Sequence, residues 1–324
     1  MYGEATEYRS EAARSETARS EAPRSEAALC GLEIAQGDSR YPEGLYLVDK
    51  PPACLYVRGT CEALVAPSLA IVGARKATPY GLSCARHFAR LAALRGITVV
   101  SGGAIGCDQS AHGGAMDAGG KTVVVLGCGA DVVYPSRARA LFERTLAEGG
   151  AIVAEAPWGS PPSRWGFRRR NRLIAGIAQA TLIVEAGLPS GTFSTADATL
   201  AQGKEVFAVP GSIFALESKG ANRLIAQGAL PIVDDGSFED ALTQVFGEAN
   251  LFPSFASPPA SSSPATQGGM QAEVLRVLAQ QPLRAEELLG ICGDDVVEVI
   301  RYLTSLELIG LITRLRDGRY AREL

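Results

Sequence analysis

The sequence predicts a doubly wound α/β domain built on a parallel sheet, and three observations carry that prediction. Short continuous apolar runs recur along the middle of the chain, as suits strands covered on both faces. Segments with helical spacing fall between them, and glycine-rich turns follow nearly every run. The strands read as LAIVG (69–73), TVVSG (98–102), TVVVLG (122–127), AIVAE (151–155), TLIVEA (181–186), EVFAVPG (205–211) and PIVDD (231–235). The intervening helices fall at 79–95, 107–118, 136–148, 170–179, 192–202 and 220–227.

The N-terminal segment does not belong to this pattern. It repeats RSEAA, RSETA, RSEAP and RSEAA from Arg9, Arg14, Arg19 and Arg24. A five-residue period makes no stripe on a 3.6-residue helix, and almost nothing there is apolar, so residues 1–28 are expected to be disordered. The segment also lacks the apolar core of a signal peptide. A Pro/Ser-rich stretch within 246–269 reads as a linker between the α/β domain at 29–245 and a short domain at 270–324. In that last domain, three short amphipathic segments precede LITRLRDGRYARE, two strands around an Asp-Gly turn. This order resembles a winged helix. Its recognition helix, the third of these segments, gathers Asp294, Asp295, Glu298 and Glu307 against Arg301, an acidic face poorly suited to the major groove. The wing arginines Arg314, Arg316, Arg319 and Arg322 remain candidates for phosphate contact, and the helix itself reads as a protein-contact or regulatory surface.

Composition narrows the function. The 324 residues carry a net charge of −4, so nucleic-acid binding has to be argued from local clustering. No apolar stretch reaches the ~20 residues that span a bilayer. Seven scattered cysteines without a C-x-x-C pair, and only two histidines, favour free thiols in a reducing cytoplasm over disulfides or structural zinc.

Ligands of such sheets bind outside the carboxyl ends of the strands. The loops expected there (GARKATPYG, SGGAIGCDQSAH, GCGADVVYP, EAPWGSPPSRWGFRRRN, EAGLPSGTFST and PGS) are rich in Gly, Ser and Thr. Their acids are few: Asp108, Asp131 and the strand-ending Glu155 and Glu185. Glycine backbone and helix N-termini suit an anion. There is no phosphate-loop or dinucleotide fingerprint: Arg75 and Lys76 stand where a tight glycine turn would be. Arg164, Arg168, Arg169, Arg170 and Arg172 follow, with no acid between 156 and 184. They are expected at the start of a helix, where only a bound polyanion or buried acids would relieve their mutual repulsion. Trp158, Trp165 and Phe167 interleave with them as stacking faces or core, which suits a single strand. Asp108 and His112, four apart, share a helix face; the favoured reading is an Asp N-cap and a hydrogen-bonded His, against an acid/base pair.

Taken in order, YPEGLYLVDKPPACLYVRG, IVGARKATPYG, SGGAIGCDQSAHGGAM, LGCGADVVYP, FRRRNRLIAGIAQATLIVEA, SGTFSTADATLAQGKEVFAVPGS and GANRLIAQGAL resemble the DNA-processing protein A (DprA/Smf) family over about residues 40–235. The resemblance implies an extended Rossmann-like fold, single-stranded DNA binding, homodimerisation and loading of the RecA recombinase in natural transformation, without catalysis or a cofactor. Its pocket positions fall on Arg75, Ser101–Gly102 with Asp108 and His112, Arg170–Asn171–Arg172, Ser190–Gly191–Thr192 and Lys204, with Gly211 shaping the rim. Two departures stand out: Ile105 replaces the usual arginine of S-G-x-A-R-G-I-D, and Arg168 replaces the proline of F-P-x-R-N-R. A gained cation near a lost one suggests compensation. The rival enzyme reading is a nucleotide hydrolase resembling the cytokinin-activating phosphoribohydrolases, but Thr195 occupies the position of their required Glu. A second rival is an interaction scaffold that binds only a small anion.

Overall fold

The structure is a computed structural model, and it describes residues 31–247, 269–278, 281–292, 296–308, 310–315 and 317–322. The N-terminal repeat and nearly all of the Pro/Ser-rich stretch lie outside the described residues.

The α/β domain opens with β1 (Leu32–Ala35) and β2 (Cys54–Gly59), then a single helical turn, α1 (Glu62–Val65). Alternation follows: β3 (Ser68–Val72), α2 (Pro79–Leu94), β4 (Thr98–Ser101), α3 (Cys107–Asp117), β5 (Thr122–Leu126), α4 (Arg139–Ala147) and β6 (Ala151–Ala154). It continues through α5 (Arg164–Ile177), β7 (Ala180–Ile183), α6 (Phe193–Ala201), β8 (Glu205–Ala208), α7 (Lys219–Ala226), β9 (Leu230–Pro231) and α8 (Asp235–Phe246). The nine strands form one sheet in the order β1-β2-β6-β5-β4-β3-β7-β8-β9. From β6 to β9 it is parallel, while β2 joins β6 and β1 joins β2 antiparallel.

The apolar runs have the reason expected of them. Along β3, Leu69 and Ile71 enter a core with α2, α3 and α8, while Ala70 and Val72 enter the opposite core with α5. Each strand therefore has to be apolar on both faces. The two antiparallel edge strands and α8 were not foreseen. PIVDD contributes only its proline to a strand, because Asp234 caps α8 by accepting from the Ser237 N–H at 2.8 Å.

The largest difference concerns the arginine segment. The helix begins at Arg164, not at 170: Pro161 and Pro162 prevent an earlier start, and Ser163 caps the first turn by accepting from the Gly166 N–H at 3.0 Å. All five arginines thus lie inside α5. Its first turn packs backbone-to-backbone against the loop after β5, where Gly127 and Gly166 leave no space for a Cβ on either side.

The C-terminal residues form α9 (Gly269–Leu278), α10 (Ala285–Cys292), α11 (Val296–Leu308) and the hairpin β10 (Ile312–Arg314)–β11 (Tyr320–Arg322). Val274, Leu288, Leu303, Leu306 and Ile312 close its core. This is the winged-helix order that the sequence suggested. Of the wing arginines, Arg319 is held by Asp317 at 2.7 Å and Arg314 lies over the Tyr320 ring, so Arg319 is not a free phosphate ligand. Arg316, Asp294 and Asp295 lie outside the described residues.

Candidate nucleic-acid interface

The chain order explains where the site sits. After β3 the strands run outward through β4 and β5 to β6, and β7 then returns to the other side of β3. The loops after β3 and β7 part at this switch point and leave a crevice at the carboxyl edge. A cleft of about 640 Å³ occupies it. From the sequence-derived set, Arg75, Lys76, Asp108, Arg164, Arg168, Arg170, Asn171, Ser190, Gly191 and Thr192 line it. Residues 187–189, from the expected loop EAGLPSGTFST, complete the wall together with Leu216 and Glu217, which were not anticipated.

The acids of this edge are turned inward. Glu185, at the end of β7, accepts from the Thr78 N–H at 2.8 Å and from its hydroxyl at 2.7 Å, tying the β3 loop to β7. Asp131 accepts from the Gly159 N–H at 2.9 Å. Asp108 accepts from the Gly102 N–H at 3.1 Å and the Ala104 N–H at 3.4 Å; it holds the glycine loop as foreseen, though the N-cap position of α3 belongs to Gly106. Glu155 receives Arg172 at 2.7 and 2.8 Å and Arg169 at 2.5 Å. Among the described residues, only Glu217 remains as a cleft carboxylate without such a tie.

The five arginines are sorted by the helix itself. Positions 165, 169 and 172 share one side of α5, whereas 164, 167, 168 and 171 share the side toward the cleft. Arg169 and Arg172 consequently share the single carboxylate of Glu155 and do not line the cleft, contrary to the sequence expectation. Arg75, Lys76, Arg164 and Arg168 are exposed at the cleft, and no carboxylate pairs with them among the described residues. Arg75 lies over the Phe167 ring at 5.6 Å, and Tyr134 stacks on that ring at 5.3 Å.

Arg170 is different again. Only 6% exposed, it forms part of the cleft wall, donates to the Val125 carbonyl and passes directly over Gly102. Its Nε has no hydrogen-bond partner, and among the described residues no carboxylate reaches it within ion-pair distance, although the nearby Asp108 charge favours its charged form. Burial pushes the Asp108 carboxyl upward, against the opposing pull of the nearby Arg170 charge. A guanidinium keeps its proton in such a setting, so the cleft contains a buried, underpaired cation.

Other expected positions serve the scaffold. Lys204 donates to the carbonyls of Ala175, Gly176 and Ala178 at 2.8, 3.0 and 2.7 Å, closing the C-terminus of α5. Its three protons are spent, and burial pulls its pKa down to about 8. It is not a phosphate ligand. Ser101 donates to the Ile71 carbonyl within the sheet, and Gly211 exchanges two hydrogen bonds with Asn222. His112 is fully buried away from the cleft. The Thr122 hydroxyl donates to the Val99 carbonyl and so accepts from the His112 Nδ1–H, leaving Nε2 without a partner. Burial holds its pKa down to about 3. Asn171 donates to Gly191 O and Ser194 Oγ, fixing the loop in which Ser190 bonds Thr192. Ile105 is exposed beside the cleft residue Ala104.

The fold and site define a Rossmann-type protein whose switch-point cleft has inward-tied acids and, among the described residues, cations with no carboxylate partner. Residues 33–244 match the family model described as DNA recombination-mediator protein A, and residues 258–318 match the DprA winged helix domain. The chain is 36% identical over 303 residues to Protein Smf of Escherichia coli, covering 90% of this chain and 79% of that one. Against the DNA processing protein DprA of Bacillus subtilis, identity is 35% over 194 residues, with 60% and 65% covered. Among solved structures, DprA from Streptococcus pneumoniae aligns with a TM-score of 0.61 and 30% identity over 67% of this chain and 76% of that one. DprA from Helicobacter pylori, described for its single-stranded DNA binding mode, aligns at 0.60 and 29% identity over 66% and 96%. This chain belongs to the DprA/Smf family of DNA-processing proteins.

Proposed function

We propose that this protein binds single-stranded DNA in the switch-point cleft and, without catalysing a reaction, protects that strand and hands it to the RecA recombinase in natural transformation and recombination. The observation that carries the reading is Arg170, a buried guanidinium facing an anion-sized cleft with Nε unpartnered and four free cations around the mouth. A buried charge that lacks a full ion-pair partner is costly, and a phosphate entering the cleft would add the compensation that Asp108 and the Val125 carbonyl supply only in part. The single-strand binding of the Helicobacter pylori relative supports the same ligand.

The non-catalytic reading rests on two positions. Thr195, buried in the cleft wall, offers no carboxylate where a phosphoribohydrolase needs one, and His112 is engaged with Thr122 far from solvent. Homodimerisation, a cytoplasmic location and RecA contact belong to the same proposal, and kinship with the DprA/Smf family supports them. The dimer is checked by light-scattering molar mass, and the recombinase role by whether the protein shortens the lag of RecA assembly on a single strand.

The decisive titration uses single- and double-stranded oligonucleotides at several salt concentrations. Single strands are expected to bind tighter, with a log–log slope of about −3 if four phosphates are neutralised at ~0.7 each. Arg75→Ala and Arg168→Ala should each lower affinity and flatten the slope by about 0.7. Equal affinity for both DNA forms, or unaltered binding by both variants, would sink the reading. An unaltered Arg168→Ala alone would reject its compensation for Ile105.

A further inference from the structure

The arginine segment brings three aromatic side chains with it, and the structure gives them three different fates. Trp158 donates its indole N–H to Glu33 at 3.0 Å and meets Tyr56 edge-on at 5.3 Å, so it belongs to the wall behind the sheet edge. Phe167 lines the cleft, where it carries Tyr134 and Arg75. Trp165 does neither. It is 67% exposed, outside the cleft lining, on the first turn of α5.

Its surroundings are ordered all the same. The Arg169 guanidinium sits over its ring at 5.0 Å, and Glu155 holds Arg169 at 2.5 Å. Glu155 is itself anchored by Arg172 at 2.7 Å. A chain of charged contacts from the end of β6 thus sets one face of the indole and leaves the ring largely open to solvent. Trp165 also has Arg168, a cleft cation, as its i+3 neighbour on the helix surface, where such positions lie about 5–6 Å apart. The cleft, the rim cation and the indole therefore form one continuous path around the N-terminus of α5.

We infer that Trp165 is a nucleobase-stacking subsite outside the cleft: a strand leaving the cleft past Arg168 lays its next base on the indole, which the Glu155–Arg169 pair holds in place. Indole is a strong stacking surface for a base, and sequence does not matter to it because every base has a π-face. An electrostatic rim followed by an aromatic platform is the arrangement that single-strand grooves use. The inference rests on the single-strand reading above and adds to it a ligand length: oligonucleotides that only fill the cleft do not reach Trp165.

The test uses the full chain and an oligothymidylate series of increasing length. In a Trp158→Phe background, Trp165 is the remaining tryptophan, and its fluorescence should quench when long oligomers bind and stay unchanged with the shortest ones that bind. Trp165→Ala should lose about 5- to 150-fold in affinity for long oligomers and less than about twofold for short ones. Trp165→Phe should recover most of that loss. One abasic site placed at the matching register should reproduce it, and should add nothing further in Trp165→Ala. Thermal melting of Trp165→Ala should match the parent, since the ring is exposed. Unchanged affinity of Trp165→Ala for every length overturns the subsite, as does a loss independent of length, and the first result would leave Trp165 as a protein-contact residue. These outcomes are separable from failure of the single-strand reading itself, in which the parent chain would not bind and Arg75→Ala would change nothing.

Discussion

Gly102 has no room for a side chain because the Arg170 guanidinium passes over it. Gly102→Ala should therefore move the end of a flexible arginine and leave the sheet intact. Losing one charge-assisted contact predicts about a tenfold or greater loss in single-strand affinity, read by anisotropy, with little change in melting temperature. Lys204 predicts the opposite pattern. Its ammonium satisfies three carbonyls at the end of α5, so Lys204→Met should cost about 1–3 kcal/mol of stability in urea unfolding while affinity stays within about twofold. The two variants together separate a position that acts through the cleft residue Arg170 from a scaffold position, although the family resemblance gave both the same role. Sequence reasoning selected both for one role because a motif records that a residue type is required and is silent about which neighbour uses it.

At the scale of the element, α5 is the organising piece. Its apolar side, Leu173, Ile174 and Ile177, is buried in the core, and its first turn projects past the sheet edge with Arg164 and Arg168. The Ser163 cap holds that turn, so Ser163→Ala should cost about 1 kcal/mol and weaken DNA binding through fraying of the turn that displays Arg164. Glu155 ties β6 to the other side of the helix. Glu155→Gln leaves Arg172 largely buried beside a neutral partner, and a loss of about 2 kcal/mol in unfolding free energy is expected from urea denaturation. The strands from β3 to β6 and most helices were legible within one or two residues, since burial on both faces writes an apolar run. Strands β7, β8 and β9 end three or four residues earlier than expected. The start of α5 was not legible. An arginine-rich turn has no apolar periodicity to reveal it, and a single serine after two prolines was its only signal.

For the whole molecule, the distribution of charge matters more than its total. The chain is acidic at −4, yet at the carboxyl edge the acids bond to backbone, Thr78 or arginines and the cations face outward. Local fields of this kind steer a polyanion regardless of net charge. The molecule also contains an acid-sensitive core group. His112 is neutral in the fold, with its pKa near 3, whereas an unfolded imidazole titrates near 6.5. As pH falls below about 6.5 the unfolded chain takes up the proton first, so the stability His112 contributes is complete above that pH and declines toward pH 3. About 2 kcal/mol should be lost by pH 5 relative to pH 7.5 in urea unfolding, and His112→Gln, which keeps a donor for Thr122, should flatten that limb.

The sequence by itself determined the alternation of strands and helices, the carboxyl-edge loops and the crowding of arginines near residue 168, because these follow from local periodicity and composition. Only the tertiary structure decided which arginines face the ligand. Arg164 and Arg168 fall on one side of α5, Arg169 and Arg172 meet Glu155 on the other, and Arg170 is drawn beneath the cleft over Gly102. Helical rotation separates neighbours in sequence by about 100°, and what each then meets depends on strands and loops distant along the chain.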